Sequence, residues 1–507
     1  MAFLTINGWE IPVAEVTKSD EYLGTYKRVF SGSLRDSTSA VKRKWNITTT
    51  PLTYDDVYTL RNLLISNGDH FGFDNIAGNT GWDNTIGNFI VSDKGVVATA
   101  GTATWRPLEG PNGLNAIAVE KSTTNLLSQN TASFETDLTG WTTYSNGTVT
   151  FSNPSDGGYH GSKYFKVVGS SGDTIWGITS PSITGISPGD SVTFSWYEKH
   201  NVNLSSITNN GYGSTAIRFY DSSDKEIADS AVFLTNLGYA NTNWHRHYIT
   251  ATAPANTDHI RVFIGYDAPN LASYHWHCID AVQVEKMSYP TSFAYLSRSQ
   301  ANINLMPMSN LYSPDALTML TSVMFMDKTS SVYPLYFLYT PSWNFDYTFR
   351  LNICPTSIVF VVYTPNAYNS YTLLSSYSTN TLYNIGISFS SAKVLGYVNG
   401  SKVLAATTGY QLWYDSNATF RIGIGGYFSV LINNLLILPF AASGNFLAGA
   451  TNTNIYYKMP YVTISGDIVN NQQVMCFPEV QDFDYLQFSN NGTWTTGQKV
   501  KFSLLEV

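Results

Sequence analysis

Apolar and polar positions alternate with a period of two over most of the chain, and the alternation is broken repeatedly by Gly, Asn, Asp, Ser and Pro. A period of two places successive side chains on opposite faces of a strand, so many short strands joined by tight polar turns are expected. Near the start, Leu4-Thr5-Ile6-Asn7-Gly8-Trp9-Glu10-Ile11 reads as a hairpin, because Asn-Gly tolerates the positive φ angles of a two-residue turn. A loop near Ser31-Gly32 leads into a second alternating run, residues 42–48, and residues 499–507 alternate in the same way at the other end. Both ends therefore read as strands awaiting a partner, and they are expected to form one domain together. One stretch breaks the period. Thr53 stands where an N-cap belongs, Asp56 follows three residues later, and Val57, Leu60, Leu63 and Leu64 recur on one helical face, which predicts a helix from 54 to about 64 that Asn67-Gly68 ends.

Further along, residues 74–120 carry many glycines and no helical period, as short strands with tight turns do. Residues 121–297 open with Asn125-Leu126-Leu127 and Gly140-Trp141, continue through the strand patterns 163–167 and 191–197, and close on 279–285 and 288–293. After them, the run 394–403 alternates up to Asn399-Gly400, and the strands 420–426 and 432–439 follow. The chain is long enough for three or four domains at about 150 residues each.

Composition narrows the functional classes. Charged residues are 13% of the chain and aromatics 14%, which suits β-structure, and the net charge of −8 argues against nucleic acid, since phosphate neutralisation needs clustered Lys and Arg. The only dense basic run is Lys42-Arg43-Lys44. Cys278, Cys354 and Cys476 fall in three different expected domains, so no disulfide framework is predicted and assembly in a reducing cytoplasm fits. A charged leader followed by an apolar run is not seen at the start, nor is a stretch of about 18 apolar residues, so neither a secretory signal nor membrane insertion is expected.

These patterns carry three resemblances. The order of strand, Pro51-Leu52-Thr53 and helix, closed by residues 502–507, resembles the tail-tube and distal-tail proteins of tailed bacteriophages, which implies an attachment domain from 1–73 plus 445–507. The Asn399-Gly400 hairpin, the Arg421-Ile422-Gly423 strand and the buried strand after it are similar to laminin-G-like and concanavalin-like sandwiches, which implies one such domain from 74–120 plus 298–444. The series 121–297 resembles carbohydrate-binding-module jelly rolls inserted in phage proteins. Together they imply an all-β multidomain protein: a tail-tube-like sandwich with one helix formed by both chain ends, carrying a concanavalin-like sandwich interrupted by a jelly roll. The function so implied is that of a structural protein of the virion tail or baseplate, assembled in the host cytoplasm, with other tail proteins and copies of itself in a ring, hexameric by analogy, as partners. Host-surface glycan would be the ligand. Tail decoration without a ligand, and a glycan lyase or hydrolase on the concanavalin-like scaffold, are the competing readings.

No cofactor is required by this reading, although the jelly-roll resemblance maps a structural calcium ion onto Glu135 and Asp280. Sugar recognition uses aromatic faces against C–H surfaces with polar side chains reading hydroxyls, so Trp176, Tyr212, Trp244 and Tyr266, with Arg218 and Asp267, are the candidate contacts. Two His-x-His pairs, His245/His247 and His275/His277, each put two imidazoles on one strand face, a spacing that suits a transition metal but shows no third ligand; a solvated face is the simpler reading. There is no Gly-x-Ser-x-Gly, no phosphate-binding Gly-x-x-x-x-Gly-Lys and no His-Glu-x-x-His. Asp482 and Asp484 share a strand face in the attachment domain, where no cleft is expected. An enzyme is therefore not predicted.

Overall fold

The computed structural model describes residues 2–6, 9–28, 34–65, 71–73, 82–83, 88–91, 96–100, 104–106, 116–146, 148–169, 172–201, 215–227, 232–233, 241–271, 275–301, 303–306, 316–339, 347–364, 367–409, 411, 419–423, 427–438, 440–452, 462–465, 479–486 and 499–505. Among them are thirty-five strands against three helices, and the fold is all-β and multidomain. The chain divides into two compact units, Met1–Val119 with Ala301–Val507, and Glu120–Gln300.

In the first unit both chain ends enter one six-stranded antiparallel sheet, in which Leu34–Thr49 lies between Trp9–Arg28 and Lys499–Leu505. Trp45 faces Leu504 and Ile47 faces Phe502 across that last pairing. Ile6 pairs with Trp9, while the Asn7-Gly8 turn, the Ser31-Gly32 loop and the Asn67-Gly68 stop lie outside the described residues. The helix Tyr54–Ile65 starts as its cap predicts: Thr53 Oγ1 accepts from the Asp56 N–H at 3.2 Å and donates to the Asp56 carboxylate at 2.7 Å. Val57, Leu60 and Leu63 turn inward onto a cluster with Trp9, Ile11 and Trp45.

A second long helix, Gly444–Asn452, corrects the expectation of a single one. Its sequence holds two glycines and only a short apolar pattern, so local propensity is weak and tertiary packing decides. Phe446 meets Trp9 edge to face at 6.0 Å, and on the other side Leu447 and Thr451 lie where any side chain larger than hydrogen at Gly386 would stand. The helix thereby joins the six-stranded sheet to the neighbouring layer, and Leu320 and Leu438 belong to the same apolar cluster.

That layer is a sandwich of a nine-stranded and an eight-stranded sheet around a second cluster of Val, Ile, Leu and aromatic residues. The strands Asn88–Val91 and Val96–Ala100 join the nine-stranded sheet, and Ala116–Val119 joins the eight-stranded one. Sequence before residue 120 and after residue 300 thus completes the same sandwich. At Asn399-Gly400 the hairpin forms as read: Val398 pairs with Ser401, and φ is +49° and +80° at the two turn residues.

The second unit is a jelly roll of two five-stranded antiparallel sheets. One runs Thr142–Asn146, Gly172–Thr179, His259–Leu271, Ala216–Tyr220, Val232–Phe233; the other runs Val149–Ser152, Phe165–Gly169, His275–Glu285, Ser191–His200, Asn241–Thr252. Phe165, Trp176, Phe194, Trp196 and Phe219 fill the space between them. The unit's own ends are held together, because Thr123–Thr124 pairs with Ser297–Arg298. Behind that short pairing, the buried Glu285 carboxylate accepts from the hydroxyl of Thr123, the N–H and hydroxyl of Thr291 and the amide of Gln283, at 2.6–2.8 Å. Asn125 does the same from the entry side, donating to the Val282 carbonyl at 2.9 Å and accepting from the Val284 N–H at 3.1 Å. These contacts tie the run 283–294 to itself and to the entry strand: Gln283, Glu285, Thr291 and Ala294 bond one another, and Thr123 and Asn125 reach in from the opposite end of the unit.

Candidate functional site

The sheet containing Ser191–His200 has one face in the core and one turned outward. On the outward face stand Tyr197 and Lys199, Trp244, Arg246 and Tyr248, and Trp276, because strand alternation sends every second residue to that side. A loop over residues 153–163 folds across part of it. Tyr159 of that loop stacks on Tyr197 with ring centres 3.5 Å apart, and its edge approaches Trp244 at 6.5 Å. The Lys199 ammonium lies 4.5 Å from the centre of Trp244 and 5.0 Å from that of Tyr164, while Lys166 reaches Trp276 at 6.0 Å. Tyr159 is 37% exposed and Tyr248 54%, and Trp244, Lys199 and Trp276 are half-buried. The result is a row of ring faces fixed from behind and interleaved with cations.

The same loop is held by the two carboxylates that the resemblance assigns to calcium. Glu135 Oε1 accepts from the Ser162 and Lys163 N–H groups at 3.0 and 2.8 Å, and Asp280 Oδ2 accepts from the His160 N–H at 2.9 Å. Asp280 is presented by a bulge: Ala281 has φ +47°, and the pairing with Ser191–His200 slips between Ser195 and Tyr197. A methyl group at Gly161 would lie 2.6 Å from the Glu135 carboxylate, and one at Gly158 would lie 2.5 Å from the Lys163 carbonyl and 2.8 Å from Asp280 Oδ2. Glycine is required at both places by these close approaches. Burial raises Asp280 to about 7, against the pull of its N–H donors, and the Glu135 charge adds to the rise. Two carboxylates and a backbone carbonyl are thus gathered around one tight loop, and oxygen donors of this kind are the ones calcium takes.

Of the six sugar-contact candidates, the three with described side chains, Trp176, Arg218 and Trp244, do not converge. Trp244 stands on the outward face just described. Trp176 is 1% exposed and packs in the core between the sheets, with Phe165 on one side and His277 on the other, so its role as a ligand contact is corrected to a packing one. Arg218 belongs to the other sheet, where its guanidinium covers Phe263 at 3.9 Å and pairs with Glu226 at 3.4 Å. Tyr266 and Asp267 lie in the strand His259–Leu271, opposite Trp176 and Ile175, with side chains outside the described residues; Tyr212 is outside them altogether. Sequence reasoning missed Tyr159, Tyr248, Trp276 and Lys199. The one signal for three of them was their odd or even spacing relative to Tyr197 and Trp244 once the strand pairing is fixed.

No family model matches this chain, and no curated protein does. Among solved structures it is similar to the enzymatically active domain of tailspike protein 4 from bacteriophage CBA120, at 18% identity and TM-score 0.26, over 32% of this chain and 22% of that one. It is also similar to the binding domain of botulinum neurotoxin serotype G, at 12% identity and TM-score 0.26, over 30% and 40% of the two chains. Domain 4 of AbnA, an arabinanase from Geobacillus stearothermophilus in complex with arabinotriose, matches at 17% identity and TM-score 0.26, over 30% of this chain and 73% of that one. The chain spans less than half the length of the first two.

Proposed function

We propose that this chain is a structural protein of a phage tail or baseplate and that its jelly roll binds a carbohydrate of the host surface. The observation that carries the glycan half is the outward face bearing Trp244, Tyr159 and Tyr248, with the Lys199 ammonium over the Trp244 ring. Sugar rings present C–H faces to aromatic planes, and a cation beside the plane suits the acidic sugars of bacterial envelopes. The pairing of both chain ends in one sheet, with a flanking helix, supports the attachment half. In that role the partners are other tail proteins and further copies of this chain in a ring, the location is the virion tail, and several weak sites facing one surface gain strength from multiplicity. Glu135, Asp280 and the Lys163 carbonyl would hold a structural calcium ion, which supplies cross-linking of the loop to the sheet and no chemistry on the ligand.

The test is a glycan array of bacterial envelope and capsular oligosaccharides probed with the full-length protein, followed by calorimetry on the best ligand. Trp244→Ala is expected to weaken binding about tenfold, the loss of one stacked ring, with the mass in light scattering unchanged. No binding across the array, or equal binding by the variant, overturns the glycan reading. Release of shortened oligosaccharides during the incubation would replace it with an enzyme.

A further inference from the structure

On the opposite, inward face of the same sheet the alternation gathers a different chemistry. Ser191–His200 is a central strand; Glu198 faces His245 on one neighbour, Trp196 faces His247 on it, and His200 faces His277 on the other neighbour. Trp196 is wholly buried in the core, so the side chains that share its face, Glu198 and His200, continue the core row to one end of the sandwich. Four imidazoles converge there on one carboxylate. His247 Nε2 lies 3.1 Å, His245 Nε2 3.5 Å and His200 Nε2 3.9 Å from Glu198 Oε1, and His277 Nε2 lies 3.2 Å from Oε2.

Glu198 is fully buried. Burial alone would push its carboxyl up, and the His277 charge with hydrogen bonds from His245, His247 and His277 overrides it, holding the group well below the usual carboxylate range. Trp196 Nε1 donates to the second oxygen of Glu198 at 2.8 Å, and the Trp196 ring stacks on His247 at 5.7 Å, so both ligand groups are oriented from outside the cluster. One donor atom each from Glu198, His245 and His247 lies within 4.8 Å of the other two. Bonds of ~2.0–2.1 Å in a tetrahedral site put donor atoms roughly 3.3 Å apart, close to the separations from Glu198 Oε1 to His247 and His245. The His245 and His247 side chains keep 23% and 21% exposure, which gives an ion a way in.

We propose that Glu198, His245 and His247 bind a borderline transition-metal ion of the zinc type, with solvent in the fourth position. Imidazole nitrogen with one carboxylate favours zinc, cobalt or nickel over calcium and magnesium, which take oxygen. The ion would clip Asn241–Thr252 to Ser191–His200 from inside, leaving the outward ring face untouched. It is distinct from the calcium donors, which lie on the other side of the sheet.

The full-length protein, stripped with EDTA and dialysed, is titrated with zinc chloride alone and, separately, with calcium chloride. One zinc per chain is expected, and His245→Gln with His247→Gln together should weaken it at least 100-fold. Cobalt chloride added to the unmutated protein provides the second readout: the intense visible bands of tetrahedral cobalt are expected. Absence of zinc binding, zinc binding that survives the double substitution, or only the faint bands of six-coordinate aqueous cobalt overturns the proposal, the last without dependence on whether the variant folds.

Discussion

At the level of single residues, position on a strand decides role more sharply than residue type. Trp176 and Trp244 are both tryptophans in alternating runs, yet one is a core wall and the other an outward ring, and nothing in either run marks the difference until pairing assigns a face. Glu198 was illegible for a different reason. A lone Glu in a strand reads as solvated, and its partners come from strands 47 and 79 residues away (245 − 198 and 277 − 198), which no local pattern connects. Glu135 and Asp280 were legible only through resemblance, although their joint hold on one loop follows from Gly158 and Gly161, which any side chain would obstruct. Calcium should therefore raise the melting temperature of the stripped protein. At a hundred times the dissociation constant the gain is about 2.7 kcal/mol, and Asp280→Asn should remove it; an unchanged calcium response in differential scanning calorimetry would count against these ligands.

Among the elements, the readable ones are those whose local chemistry and tertiary role agree. The Thr53 cap and the Asn399-Gly400 turn favour locally the same geometry that the fold needs, and the structure keeps both. The helix Gly444–Asn452 has no such local voice: two glycines lower its propensity, and it forms because Phe446, Leu447 and Ala450 are wholly buried against layers on both sides. Its dependence on packing makes it sensitive. Phe446→Ala should cost about 3–5 kcal/mol in urea unfolding of the full-length protein, whereas Thr53→Ala at the other helix should cost only about 1 kcal/mol. Similar losses at both positions would mean that the second helix is not the packing element described.

For the molecule as a whole, the division at residues 120 and 300 separates a unit with its own core and its own closed ends. Residues 120–300 expressed alone should be monomeric, unfold in one cooperative step and retain whatever glycan affinity the full chain has. A loss of cooperativity in circular dichroism melts would show that the rest of the chain supplies part of its stability. The single apolar cluster that unites the six-stranded sheet with the neighbouring sandwich was not readable in the sequence, since the helix that the sequence hid takes part in building it.

The clasp of Thr123–Thr124 with Ser297–Arg298, backed by Glu285, has a mechanical meaning. A pull on the jelly roll passes to the rest of the chain through two covalent crossings, each carrying part of the tension. To part the module's two ends, a load must first break the paired strands and the Thr123–Glu285 bond behind them before any core strand can be drawn out. An inserted module closed in this way resists traction better than one strung on a single linker, as a loop of rope pulled at its bight outlasts one pulled at a free end.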